Sequence, residues 1–130
     1  MISKEGMKKI LLVEDDPLII DIYTTKLKES GFQTETASDG ETALKKLKEE
    51  NFDLLILDMV LPRLTGFELL KKIREDKGFK ELKVLILSNL GQEADINLAK
   101  KLGVSKYLIK ANFIPSEVVE EIKKILKNNS

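Results

Sequence analysis

Two groups of acidic residues in this sequence each follow a short apolar run. Glu14-Asp15-Asp16 follows the run at residues 10–13, and Asp58 follows the run at residues 54–57. If both runs are buried parallel strands, their carboxyl ends meet at one edge of a sheet, where the carboxylates repel one another. A chain keeps such an arrangement when a cation lies between the acidic groups. Because carboxylate oxygens are ligands that Mg²⁺ prefers, the sequence predicts a metal site here.

Two more polar residues end apolar runs. Ser88 follows residues 84–87, and Lys110 follows residues 107–109. A carboxylate can attack phosphorus, a lysine can bind a phosphate oxygen, and a hydroxyl can donate a hydrogen bond to another. Each residue alone is common in a turn, a helix cap or a surface. Together at one edge they indicate transfer of a phosphoryl group to a carboxylate, with Mg²⁺ neutralising phosphate charge.

Strands and helices must alternate to bring these residues together. Apolar runs predict buried strands at 10–13, 54–57, 84–87 and 107–109, and the polar, threonine-containing segment 33–37 predicts an edge strand. Helical spacing and capping residues predict five helices, at 17–30, from Asp39-Gly40, from Thr65 through Ile73, at 94–102, and from Pro115. The alternation predicts a parallel sheet with helices on both faces.

Composition limits the classes of function. The 130 residues suit one domain, predicted at 9–127 after a polar tail at 1–8, with no output domain. The 22 basic residues balance the 22 acidic ones, which argues against non-specific binding to nucleic acid or to an anionic membrane. The absence of cysteine and histidine excludes disulfides, thiolate metal sites and a histidine phosphocarrier. No signal peptide or membrane span is evident, so we expect a cytoplasmic protein.

The order of the motifs resembles the receiver (phosphoacceptor) domain of two-component response regulators. The resemblance covers nearly the whole chain, from about Lys9 to Leu126. It implies a doubly wound, five-stranded parallel sheet of the flavodoxin-like fold, with strand order 2-1-3-4-5. The matching motifs are Leu12-Val13-Glu14-Asp15-Asp16-Pro17, Asp58 with Pro62 and Gly66, Ser88, and Tyr107 with Lys110.

The resemblance also implies a role for each matching residue. Asp58 corresponds to the phosphoacceptor, and Glu14 and Asp15 correspond to the acidic pair that binds Mg²⁺, with Asp15 the more direct ligand. The backbone carbonyl of Val60 corresponds to a further ligand. The other implied roles are phosphate binding by Lys110, a switch hydroxyl at Ser88 and a switch aromatic at Tyr107.

Two features depart from the family pattern or bear on its chemistry. Ala111 follows Lys110 where the family usually has proline, often after a cis bond, and without proline a cis bond would cost about 3 kcal/mol. Val60 and Leu90 occupy positions that influence phosphoryl hydrolysis in the family, and both are apolar. Since apolar side chains cannot orient an attacking water, we expect a long-lived phosphoryl group.

The predicted function is that of a stand-alone response regulator rather than an enzyme acting on other substrates. A histidine kinase or histidine phosphotransfer protein would phosphorylate Asp58 after docking near Leu18 and Ile19. The signal would then pass by contact with a downstream protein, from a monomer or a phosphorylation-dependent dimer.

Three other functions compete with this prediction. A receiver-like interaction module would never be phosphorylated. A phosphatase with an aspartyl nucleophile would usually carry an Asp-x-Asp motif, whereas Asp58 is followed by Met59-Val60. A flavin or dinucleotide binder would want a glycine-rich or hydroxyl-rich loop after the first strand, where this chain is acidic.

Overall fold

A five-stranded parallel sheet forms the centre of the protein. The computed structural model describes residues 7–127. The strands are β1 (Lys9–Val13), β2 (Gln33–Ala37), β3 (Leu54–Leu57), β4 (Lys83–Ser88) and β5 (Lys106–Ile109). Their order is β2-β1-β3-β4-β5, and every neighbouring pair is parallel. The predicted order and the doubly wound, flavodoxin-like fold are therefore confirmed.

Five α-helices connect the strands. They are α1 (Pro17–Glu29), α2 (Gly40–Glu49), α3 (Gly66–Glu75), α4 (Glu93–Lys101) and α5 (Pro115–Lys127), with 3₁₀ turns at Lys77–Phe79 and Lys110–Asn112. The predicted caps form: the side chains of Asp16, Asp39 and Thr65 each accept a backbone N–H in the first turn of their helix. Helix α4 has no side-chain cap and lies one residue before the predicted 94–102.

The two faces of the sheet bury separate apolar cores, because side chains alternate along each strand. Helices α1 and α5 pack on the face that carries Ile10, Leu12 and Ile56. Helices α2, α3 and α4 pack on the opposite face, over Leu11 and Leu55. Strands β1 and β3 are covered on both faces, whereas most of β2 is only half-buried, as expected for an edge strand.

The ends of the chain leave parts of the sequence-based prediction outside the described residues. Residues 1–6 of the predicted polar tail lie there, as do residues 128–130 of the predicted frayed terminus. Among residues 7–127, no helix is both long enough and apolar enough to cross a bilayer.

Candidate functional site

Asp58 lies directly after β3, at the carboxyl edge of the sheet, and is 6 % exposed. The Ser88 hydroxyl donates to its Oδ1 at 2.7 Å, and the Val60 amide donates to the same oxygen at 3.1 Å. The Lys110 ammonium donates to Oδ2 at 2.6 Å. Residues at the carboxyl ends of three different strands thus converge on one carboxylate, because parallel strands end at the same edge.

Lys110 also lies against Glu14, which follows β1. Its Nζ is 2.5 Å from Glu14 Oε1, so one ammonium bridges two buried carboxylates. Burial raises the pKa of Glu14, and the hydrogen bonds from Lys110 and the Asp16 amide only partly oppose this effect. Burial acts to lower the pKa of Lys110, but its hydrogen bonds to Asp58 and Glu14 outweigh burial and raise it. Lys110 is therefore charged at neutral pH.

The acidic residues can hold a metal ion. Carboxylate oxygens of Glu14, Asp15 and Asp58 all lie within 4.8 Å of one another, with Asp15 exposed and the other two buried. The same cleft is lined by Val60 and Lys110. An all-oxygen donor set that opens to solvent suits Mg²⁺, which keeps several of its waters when it binds protein carboxylates. The residues present therefore fit the ion that the sequence predicts.

A continuous chain of hydrogen bonds leads from Asp58 to Tyr107. The Ser88 hydroxyl, which donates to Asp58, also accepts the Leu90 amide at 3.2 Å. The carbonyl of Leu90 in turn accepts the hydroxyl of half-buried Tyr107. Burial raises the pKa of Tyr107, so this hydroxyl keeps its proton at neutral pH. The contact through Leu90 was not expected from sequence, because it depends on how the loop after β4 folds back toward β5.

The loop after β5 differs from the family pattern without disturbing Lys110. Residues Lys110–Asn112 form a 3₁₀ turn, and no cis peptide bond occurs among residues 7–127, so the bond before Ala111 is trans. The Ala111 amide donates to Asn89 Oδ1 at 3.0 Å. Proline has no amide hydrogen, so this hydrogen bond is available only because proline is absent here. Asn89 is not predicted from sequence, and its position directly after Ser88 is the only signal that could have indicated it.

Comparison with known proteins decides the family. The family model "Response regulator receiver domain" matches residues 10–123. This chain belongs to the response regulator receiver family. The family is a phosphoacceptor signalling module, and its receiver domains bind Mg²⁺ at an acidic pocket and interact with histidine kinases or phosphotransfer proteins.

Several relatives and solved structures resemble this receiver domain over most of its length. It is 40 % identical over 122 residues to the alkaline phosphatase synthesis transcriptional regulatory protein PhoP of Bacillus subtilis, covering 94 % of this chain and 50 % of PhoP. It is 37 % identical over 120 residues to the chemotaxis protein CheY of Pseudomonas aeruginosa, covering 92 % of this chain and 96 % of CheY. The crystal structure of the phosphorylated cyanobacterial phytochrome response regulator RcpA matches with a TM-score of 0.82 and 29 % identity, covering 95 % of this chain and 96 % of that one.

The relatives fall into two classes by chain length. This receiver domain spans about half the length of the first curated relatives that it matches, PhoP among them, and nearly the whole of CheY. The prediction of a stand-alone protein without an output domain therefore stays a prediction.

Proposed function

We propose that this receiver domain accepts a phosphoryl group on Asp58 in a Mg²⁺-dependent phosphorelay. The observation that carries the proposal is the position of Asp58. Its carboxylate receives hydrogen bonds from Ser88, Lys110 and the Val60 amide, and it lies within 4.8 Å of the carboxylate oxygens of Glu14 and Asp15. A nucleophilic carboxylate, two further acidic ligands, a hydroxyl donor and a cation form one site that suits acyl phosphate chemistry.

The phosphoryl group would come from the phosphohistidine of a histidine kinase or a histidine phosphotransfer protein. A carboxylate oxygen of Asp58 attacks phosphorus, the P–N bond breaks, and its electron pair leaves with the imidazole of the donor. Glu14, Asp15, Asp58 and the carbonyl of Val60 would hold Mg²⁺, which supplies charge neutralisation for the phosphoryl oxygens when it is bound. Lys110, whose ammonium contacts both Glu14 and Asp58, adds a second positive charge.

The same residues would read out the phosphoryl group. A phosphoryl group on Asp58 presents new oxygen acceptors to the hydroxyl of Ser88 and the ammonium of Lys110, in place of the carboxylate that they contact now. Because Ser88 also accepts the Leu90 amide, a change in its position alters the loop that Tyr107 contacts. Phosphorylation would thereby shift the population of conformations on the face formed by α4, β5 and α5. A downstream protein would recognise this face, from a monomer or a phosphorylation-dependent dimer.

The phosphodonor would dock near the first helix, in the cytoplasm as the sequence predicts. Leu18 lies in the first turn of α1 and is 65 % exposed, while Ile19 is half-buried against the core. A large exposed apolar side chain beside the acidic cleft provides contact area for a partner protein. Replacing Leu18 with alanine should slow transfer from a phosphohistidine protein and leave labelling by acetyl phosphate unchanged, whereas replacing exposed Leu98 on α4 should change neither rate.

Intact mass spectrometry after treatment with acetyl phosphate and Mg²⁺ tests the chemistry. We expect one added phosphoryl group in the wild type, none in Asp58→Asn, and none when EDTA removes the metal. Asp21→Asn is the matched control, because Asp21 is an exposed carboxylate on α1 outside the cleft. Loss of the added mass in hydroxylamine identifies an acyl phosphate. A wild type that gains no phosphoryl group would favour the unphosphorylated interaction module, and equal labelling of Asp58→Asn would place the modification elsewhere.

A further inference from the structure

The loop between β3 and α3, residues 58–65, contains one residue with an unusual backbone conformation. Arg63 has a φ of 63°, and it is the single residue other than glycine with positive φ among residues 7–127. This left-handed region is disfavoured for a residue with a long side chain. Such a conformation persists where surrounding contacts enforce it, and it is frequent near functional sites.

The side chain of Arg63 contacts a buried carboxylate at the start of α2. Its Nη2 lies 2.5 Å from Oδ2 of Asp39, a residue that is only 2 % exposed. Asp39 also caps α2, since its Oδ1 accepts the Thr42 amide at 2.8 Å and its Oδ2 accepts the Thr42 hydroxyl at 2.9 Å. The hydrogen bonds from Arg63 and Thr42 lower the pKa of Asp39 to about 2, so the ion pair is fully charged at neutral pH.

Backbone contacts reinforce the same junction. A Cβ added at Gly40 would clash with the carbonyl oxygen of Leu64 and lie 2.7 Å from its Cβ, so the loop rests directly on the first residue of α2. At the end of β2, the carbonyl of Ala37 accepts the Glu14 amide at 3.0 Å. The segment 37–40 therefore contacts Glu14 after β1 and also the loop that follows Asp58.

We propose that the ion pair between Asp39 and Arg63 is a latch that positions the loop 58–65, and with it the carbonyl of Val60, for Mg²⁺ binding beside Asp58. The inference rests on the proposed function, because it concerns the same metal site. Met59 and Leu61 are buried and hold the loop against the core, whereas Val60 between them is 61 % exposed. Arg63 is exposed too, and its ion pair adds a side-chain contact between the loop and α2 to the backbone contact at Leu64.

Substitutions can remove the latch without removing the fold. Asparagine tolerates the left-handed conformation, so Arg63→Asn deletes the cation with little backbone cost. Asp39→Asn keeps a good helix cap and deletes the negative charge. Arg63→Lys keeps a cation within reach of Asp39. The matched control is Lys46→Gln, which removes a 3.1 Å ion pair between α2 and Glu35 away from the loop.

The readout is the Mg²⁺ dissociation constant from isothermal titration calorimetry at fixed ionic strength, together with the NMR shift of the Val60 amide. We expect Arg63→Asn and Asp39→Asn each to weaken Mg²⁺ binding about tenfold, in the range found for residues that orient metal ligands. The double variant should bind no more weakly than either single one, because both remove the same contact. Arg63→Lys should restore most of the affinity, and Lys46→Gln should match the wild type.

Urea unfolding of the same variants separates a structural role from a positioning role. A lower urea midpoint with an unchanged Mg²⁺ dissociation constant would show that the ion pair stabilises the fold only, and the latch proposal would then be wrong. Asp15→Asn tests the metal site itself. If the wild type binds no Mg²⁺, or if Asp15→Asn binds it equally well, the proposed function fails and the latch fails with it. If Asp15→Asn loses binding and Arg63→Asn does not, only the latch fails.

Discussion

Lys110 compensates the negative charges of two buried carboxylates. Its removal should lower the stability of the protein, and Mg²⁺ should offset part of that loss. Its Nζ lies 2.5 Å from Glu14 and 2.6 Å from Asp58, which are 2 % and 6 % exposed. Lys110→Met keeps an unbranched side chain of similar length and removes the charge. Glu14 and Asp58 then face each other with no cation between them, and both remain buried without a compensating charge.

The size of the effect follows from the burial of the three groups. Breaking a fully buried ion pair costs about 3–5 kcal/mol, because the remaining charge is left uncompensated. Here Asp58 keeps its hydrogen bonds from Ser88 and the Val60 amide, and the cleft opens to solvent. We therefore expect Lys110→Met to lower the free energy of unfolding by about 2–3 kcal/mol at pH 7 without metal. The raised pKa of Lys110 means that its contribution is complete at this pH and is lost only as pH rises through its folded-state pKa.

Two conditions should reduce the loss. Mg²⁺ at one hundred times its dissociation constant for the variant should stabilise the variant by about 2.7 kcal/mol. Because the ion takes the place of the missing positive charge, the variant should bind Mg²⁺ more tightly than the wild type, so the difference in stability between them should shrink. Acidification below pH 7 should also help, since burial raises the pKa of Glu14 and its protonation removes one of the two opposed charges. Because the pKa of Glu14 is higher in the folded state than in the unfolded state, the free energy of unfolding rises as Glu14 is protonated at lower pH.

Urea unfolding followed by far-ultraviolet circular dichroism, in EDTA and in Mg²⁺, measures these free energies. Lys106→Met is the control, since Lys106 begins β5, the strand that Lys110 follows, is about half-exposed and pairs with Glu121 at 3.4 Å. That change should cost less than about 1 kcal/mol. Equal losses in the two variants, or a Lys110→Met loss that Mg²⁺ does not reduce, would refute the view that Lys110 stands in for a metal charge.

Three further changes should have measurable effects. Gly66→Ala should destabilise the protein by about 1–3 kcal/mol in urea unfolding, because a Cβ at Gly66 would clash with the Asp58 carbonyl oxygen, and packing this tight does not admit another carbon. Asp39→Asn should lower the free energy of unfolding by about 1 kcal/mol at pH 7 and by less at pH 2. The pKa of Asp39 is lowered from 3.8 to about 2, so its charge stabilises the folded state above pH 4, and this stabilisation is lost as pH falls through 2. The effect is small because Arg63 is partly exposed. Val60→Gln should shorten the lifetime of the acyl phosphate, measured as the decay of the added mass, because an amide beside the site can orient the attacking water that valine cannot.

Each of these changes has a control or a contrary outcome. Gly78→Ala should cost less than Gly66→Ala, because its Cβ would meet a side-chain oxygen of Asp76 at 3.3 Å and no backbone atom of the loop. If the free energy of unfolding of Asp39→Asn falls with decreasing pH as it does in the wild type, the low pKa of Asp39 does not contribute to stability. A Val60→Gln lifetime equal to that of the wild type would show that water reaches phosphorus independently of this side chain.

Sequence alone determined the architecture, for reasons that are local. The apolar runs of β1 and β3 and the polar β2 reveal which strands are covered on both faces, and Asp16-Pro17 and Thr65 mark where helices begin. Parallel strands end at one edge, so the acidic residues, Ser88 and Lys110 were also expected to meet there. The structure brings all of these side chains together as expected, and the boundaries of β1, β4, β5, α1 and α4 moved by a single residue.

Only the tertiary structure decided which partners these residues take. Sequence could not show that one ammonium, Lys110, would bridge Glu14 and Asp58, or that Leu90 would connect Ser88 to Tyr107. The ion pair between Arg63 and Asp39 could not be predicted either, because the two residues lie in different loops and no sequence pattern links their positions. The positions of strands and helices follow from patterns that recur along the chain, and the strand order was implied by the family resemblance. Contacts between loops depend on distances in space that no periodicity encodes.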